Sequence, residues 1–101
     1  MYLDSYRNSL PPLCRKHHVK ALYAFGSVLT DRFGKDSDID LIVAFDNQAV
    51  EDAFVNFFDL KYSLEELFSR PVDLLSEQPI RNPVLRRSIE RTKQLIYGRA
   101  N

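Results

Sequence analysis

Tyr23-Ala24-Phe25-Gly26-Ser27, then ten residues, then Asp38-Ile39-Asp40-Leu41-Ile42-Val43, is the stretch on which the fold turns. It reads as a buried strand, a turn carrying glycine and serine, a short helix, and a second strand that opens with two alternate aspartates. Side chains two apart on a strand point to the same face, so Asp38 and Asp40 project together while Ile39 turns the other way. Two carboxylates on one face of an otherwise apolar strand are costly unless something positive lies between them. A hard divalent cation with oxygen ligands meets that need. Gly26 lets the backbone come close to a ligand, and the amides of the following helix favour an anion such as phosphate. Carboxylates for a metal beside a phosphate cradle suggest phosphoryl or nucleotidyl transfer.

The chain has 101 residues. That length predicts one small domain over 1–101, with a single core and no separate substrate-binding domain. Lys plus Arg and Asp plus Glu are 14 each, so no overall basic field draws it to nucleic acid or anionic lipid. Direct nucleic-acid binding is therefore not expected. The single Cys14 can make no internal disulfide, and the N-terminus lacks a signal-peptide pattern. No apolar run approaches the roughly 20 residues that cross a bilayer. A cytoplasmic protein without membrane contact is the expectation.

Around the central stretch the pattern predicts alternating helices and strands. Residues 3 to about 17 look helical but are interrupted by Pro11-Pro12, giving a short helix after the prolines or a kinked pair. His17-His18 read as exposed imidazoles near its end, since helix neighbours diverge by about 100° and make a poor ligand pair. Val19 to Phe25 is the first strand, Val28 to Phe33 a short helix stopped by Gly34, and Ile39 to Phe45 the second strand. Asp36 extends the acidic alternation, but its place in the Lys35-Asp36-Ser37 turn favours local backbone bonding over ligation.

Val50 to Phe68 carries the longest helical pattern, with Val50, Ala53, Phe57, Leu60, Leu64 and Leu67 as the sheet-facing stripe. Phe54, Phe58 and Tyr62 form a second row four apart, which suits either further core or a partner surface. Val72 to Leu75 reads as a third strand, apolar except for Asp73. That carboxylate is either an arginine-paired structural acid or the third member of the metal site, and the latter is favoured. Ile80 to Arg91 predicts a last helix with Asn82 as N-cap and Pro83 at its first position, before an edge strand Gln94 to Tyr97. The basic residues Arg81, Arg86, Arg87, Arg91, Lys93 and Arg99 read as a solvated face, with phosphate or partner contact left open.

Gly26-Ser27 followed by Asp38-x-Asp40 resembles the signature of the nucleotidyltransferase superfamily that shares its catalytic fold with polymerase beta. Over most of its length the chain resembles the minimal nucleotidyltransferase (MNT), or MntA-like antitoxin, family. The likeness includes the Ser37-Asp38-Ile39-Asp40-Leu41 run, Asn82-Pro83 before a terminal helix, and Ile96-Tyr97. It implies an α/β (α+β) fold, a small mixed sheet flanked by helices. It further implies two Mg2+ ions held by Asp38 and Asp40, and ATP as substrate, its triphosphate on Gly26 and Ser27. By the same likeness Asp73 takes the third carboxylate role, as metal ligand or as the group that deprotonates the attacking hydroxyl. Leu29, Thr30 and Phe33 depart from the smaller or polar residues common in the family. The resemblance also implies a partner, a HEPN-domain toxin adenylylated on a tyrosine and so silenced, with Phe54, Phe58 and Tyr62 as candidate contacts. Two rival functions stay open: an antitoxin acting by binding alone, and a small-molecule nucleotidyltransferase working with a separate helical subunit.

Overall fold

The computed structural model describes residues 1–46, 52–77 and 82–99. Four strands form one sheet in the order β3-β2-β1-β4: β1 Val19–Phe25, β2 Ile39–Phe45, β3 Val72–Ser76 and β4 Gln94–Gly98. β1 runs antiparallel to β2 and to β4, while β2 and β3 are parallel, so the sheet is mixed. Among the described residues three α-helices accompany it, α1 Leu10–Lys16, α2 Ala53–Phe68 and α3 Pro83–Thr92. α2 is the crossover that parallel β2 and β3 require.

The alternation along the strands sorts their residues between two layers. Leu22 and Ala24 of β1, Ile39, Leu41 and Val43 of β2, and Val72 and Leu74 of β3 face the main core. There they meet Leu10 and Cys14 of α1 and Leu60, Leu64 and Phe68 of α2. The opposite face carries Ala21, Tyr23 and Ile42, packed against Ile89 of α3, with Phe25 and Leu75 at the margin. Among the described residues no helix is long and apolar enough to cross a membrane.

The helix boundaries differ from the sequence expectation for identifiable reasons. α1 begins at Leu10, before the prolines, because Pro11 and Pro12 fall in its first turn, where missing N–H groups cost nothing. A separate 3-10 turn, Tyr2–Tyr6, precedes it. α2 begins at Ala53, since Asp52 caps it by accepting from the Val55 amide; Val50 lies outside the described residues. Phe68, not part of the expected stripe, is fully buried on α2, whereas Ala53 is exposed. α3 has the expected cap: the Asn82 carboxamide oxygen accepts from the Val84 and Leu85 amides, with Pro83 first in the helix. Ile80 and Arg81 lie outside the described residues.

Only one of the two histidines behaves as expected. His18 is exposed, but His17 is 2% exposed. Its Nδ1 donates to the Leu13 carbonyl at 2.8 Å and its Nε2 lies 3.1 Å from the Asp59 carboxylate. The Asn56 side chain also donates to its carbonyl oxygen, so this histidine fastens the end of α1 to α2.

Candidate active site

The candidate site lies at one end of the face that carries α3. Phe25, the last residue of β1, pairs with Asp40, and Asp40 stands beside Asp73 in the parallel register of β2 and β3. Cross-strand partners share a face, so Asp40 and Asp73 project with Phe25, Ile42 and Leu75, away from the main core. Asp38 precedes β2 by one residue, near enough for its charge to register on Asp40. At the end of β1 the chain turns sharply through Gly26, whose φ is +76°. A Cβ added there would overlap the Asp40 carboxylate, which leaves glycine the one unstrained residue for a corner this close to the acid.

The electrostatics agree with that crowding. Burial pushes the Asp40 carboxyl above its ordinary range, and the charges of Asp73 and then Asp38 push in the same direction. Each of the three acids is therefore near enough to register on the most buried of them. Asp38 and Asp73 are exposed and Asp40 is half-buried. Among the described residues no three His, Cys, Asp or Glu side chains converge tightly enough to form a metal cage as they stand. The donor type nonetheless fits a hard cation: the charges of Asp73 and Asp38 both act on Asp40, a repulsion that a divalent ion would relieve.

The segment after the corner is a single 3-10 turn, Gly26–Leu29, and not the expected helix to Phe33. Thr30 ends it in an extended conformation, and both the amide and the hydroxyl of Thr30 donate to the Ser27 carbonyl at 2.9 Å. The Thr30 hydroxyl then accepts from the Arg32 amide. Leu29 and Phe33, whose spacing looks helical, pack on the core, the first from the end of this turn and the second from the irregular loop beyond it. One turn carries little macrodipole, so an anion held at this corner would depend on the local groups of Gly26 and Ser27. Asp36 is exposed, and it is its neighbour Ser37 whose hydroxyl accepts from the Gly34 amide.

A cleft of about 790 Å³ opens beside the corner, between Gly26 and Ser27 on one side and Leu85, Ser88 and Ile89 of α3 on the other. That volume suits a small-molecule ligand. Arg32 also lines it. The contribution of α3 escapes sequence reading, although its N-cap Asn82 with Pro83 and its apolar Leu85 and Ile89 were visible signals.

The Polymerase beta nucleotidyltransferase family model matches residues 8–101. The chain belongs to that family. Among its relatives is the Methanocaldococcus jannaschii protein named "Putative protein adenylyltransferase MJ1379", 35% identical over 81% of this chain and 79% of that one. A second from the same organism, "Putative protein adenylyltransferase MJ0128", is 34% identical over 93% of this chain and 91% of that one. A solved structure described as a putative minimal nucleotidyltransferase is 33% identical, with a TM-score of 0.72 over 91% of this chain and 90% of that one. The fold is shared with the crystal structure of a toxin-antitoxin with AMP-PNP, at 21% identity and a TM-score of 0.69 over 92% of this chain and 73% of that one. A tri-AMPylated Shewanella oneidensis HEPN toxin in complex with MNT antitoxin gives 20% identity and a TM-score of 0.64, over 98% and 74%. This chain is a nucleotidyltransferase with the minimal α/β fold.

Proposed function

We propose that this nucleotidyltransferase is an MntA-like antitoxin that moves AMP from ATP to a tyrosine hydroxyl of a HEPN-domain toxin, in a Mg2+-dependent reaction that silences the toxin. The observation that carries the reading is the alignment of Asp40 with Asp73 across β2 and β3, with Gly26 pressed against Asp40. The relatives named as protein adenylyltransferases support a protein acceptor, and the HEPN toxin held by the MNT antitoxin of like fold supports its kind.

In this reaction the acceptor hydroxyl oxygen bonds to the α-phosphorus of ATP, and the bond from that phosphorus to the pyrophosphate oxygen breaks. The proton of the hydroxyl passes to Asp73, whose exposed carboxylate is free to receive it. Gly26 lets the triphosphate approach the backbone, and the Ser27 hydroxyl donates to a phosphate oxygen. Leu85 and Ile89 give the cleft an apolar wall for the nucleoside. Asp38 and Asp40 would hold magnesium, which when bound neutralises triphosphate charge and lowers the pKa of the acceptor hydroxyl. The chain's own contribution is position and electrostatics.

Phe54, Phe58 and Tyr62 are assigned to toxin docking. Phe54 and Tyr62 are 72% and 58% exposed, and the three rings follow one another at 4.8 and 6.3 Å along α2. α2 lies on the sheet face opposite the acids, so this contact would hold the complex together without presenting the tyrosine.

The test is intact-mass analysis of a purified HEPN-domain toxin incubated with this protein, ATP and magnesium. The reading requires a gain of one or more adenylyl groups on the toxin, and none with Asp38→Asn. Neutralisation by Asp38→Asn equal to wild type, without added mass, would establish the antitoxin that acts by binding alone.

A further inference from the structure

Arg70 sits in the link between α2 and β3, remote in sequence from the acidic motif, yet its side chain ends on the loop that delivers Asp38. Its Nη1 donates to the Gly34 carbonyl at 2.6 Å and to the Ser37 carbonyl at 2.9 Å. The guanidinium lies 4.3 Å from the centre of the Phe33 ring and 4.9 Å from that of Tyr2. Tyr2 is itself fixed by a 2.9 Å hydrogen bond to the Phe68 carbonyl. Among the described residues no carboxylate pairs with Arg70, so its donors serve the loop.

The neighbouring backbone completes the arrangement. Gly34 and Ser37 close a tight turn on each other, through the Ser37 amide on the Gly34 carbonyl and the Gly34 amide on the Ser37 hydroxyl. On the far side of Asp38, the Ile39 amide donates to the Pro71 carbonyl at 3.0 Å. Asp38 is thus pinned on both flanks by one dipeptide, Arg70-Pro71. A freely moving loop would present Asp38 over a range of positions, and loss of about 1 Å of registration is enough to lower transfer steeply.

We infer that Arg70 is a positioning residue for nucleotidyl transfer, holding Asp38 in place through the Gly34 and Ser37 carbonyls. This rests on the assignment of Asp38 to the reacting set. Lysine cannot substitute fully, because an ammonium lacks the planar face that the guanidinium lays against Phe33 and Tyr2.

Arg70→Met keeps an unbranched stem against the two rings and removes the group that donates to both carbonyls; Arg70→Lys restores a cation. Two readouts are taken on folded protein. Amide hydrogen exchange across Ser37, Asp38 and Ile39 should quicken about tenfold or more in Arg70→Met, with β1 amides unchanged. The magnesium concentration giving half-maximal transfer should rise about fivefold or more and kcat fall about tenfold, while KM for the toxin stays put. Arg70→Lys should fall between the two in both readouts. The inference is overturned if loop exchange moves no more than that of β1, or if it quickens while magnesium demand and kcat stay at wild-type values. If wild type itself transfers nothing, the adenylylation reading fails. Arg70 is then judged by loop exchange and by calorimetric magnesium binding in the presence of a non-hydrolysable ATP analogue. Weaker binding in Arg70→Met supports it and equal binding overturns it.

Discussion

Gly26→Ala puts the geometry of the corner to a quantitative test. Two separable costs follow from the structure. The first is conformational: at φ +76° an alanine pays about 1–2 kcal/mol that glycine does not. The second is steric: the new Cβ overlaps the Asp40 carboxylate and stands only 3.3 Å from its Cγ. Asp40 must then turn off its rotamer, at about 0.5–1.5 kcal/mol. Against both stands the reduced entropy of the unfolded chain, which returns about 0.4–1 kcal/mol. The net loss is about 0.5–3 kcal/mol, and for a domain of this size each kcal/mol lowers Tm by roughly 4–8 °C. A double-mutant cycle in urea separates the terms. In an Asp40→Ala background the steric part disappears while the conformational part remains, so Gly26→Ala should cost about 1 kcal/mol less there. An equal cost in both backgrounds, or no cost in either, would refute the close approach of corner and acid.

Three further expectations concern the acids, the thiol and the buried histidine. Because burial and like charge raise the Asp40 carboxyl, the folded state resists its ionisation, and this penalty grows as pH rises through that raised value. Asp40→Asn should therefore abolish transfer yet stabilise the fold at neutral pH, the gain vanishing in acid; urea curves at several pH values that show a loss would contradict it. Burial pushes the Cys14 thiol up to about 12 from its ordinary 9.0, so the unfolded chain ionises first and stability falls as pH rises between those values. Between about pH 9 and about pH 10.5 wild type should lose about 1.5 kcal/mol more than Cys14→Ala, and parallel profiles would refute this. His17→Ala should cost about 2 kcal/mol in urea while leaving transfer intact, since it breaks the link from α1 to Asp59 without touching the catalytic face; wild-type stability would refute that role.

The parts of the fold legible in the sequence were those fixed by local pattern. Short apolar runs marked β1, β2 and β3, the Asn82-Pro83 pair marked the start of α3, and a lone carboxylate in an apolar run singled out Asp73. What stayed hidden depends on contacts between distant segments. The register that sets Asp73 beside Asp40 is a property of two strands joined by α2, and no spacing encodes it. His17 looked exposed because its partners, Asp59 and Asn56, come some forty residues later on another helix. Leu29 and Phe33 mimicked a helical face, but the Thr30 hydroxyl bonds and the core beneath them favour a single turn and a loop. Phe54 and Tyr62 could have been core or surface by periodicity alone; their exposure on α2 decides it.

The central claim is that Asp38, Asp40 and Asp73 beside the Gly26 corner form one nucleotidyl-transfer site. Its most direct test follows label from ATP, carried on the α-phosphate, onto a purified HEPN-domain toxin. Wild type should label the toxin, while folded Asp38→Asn, Asp40→Asn and Asp73→Asn should each fall by about a hundredfold or more. Labelling by any of the three at the wild-type rate would contradict the claim.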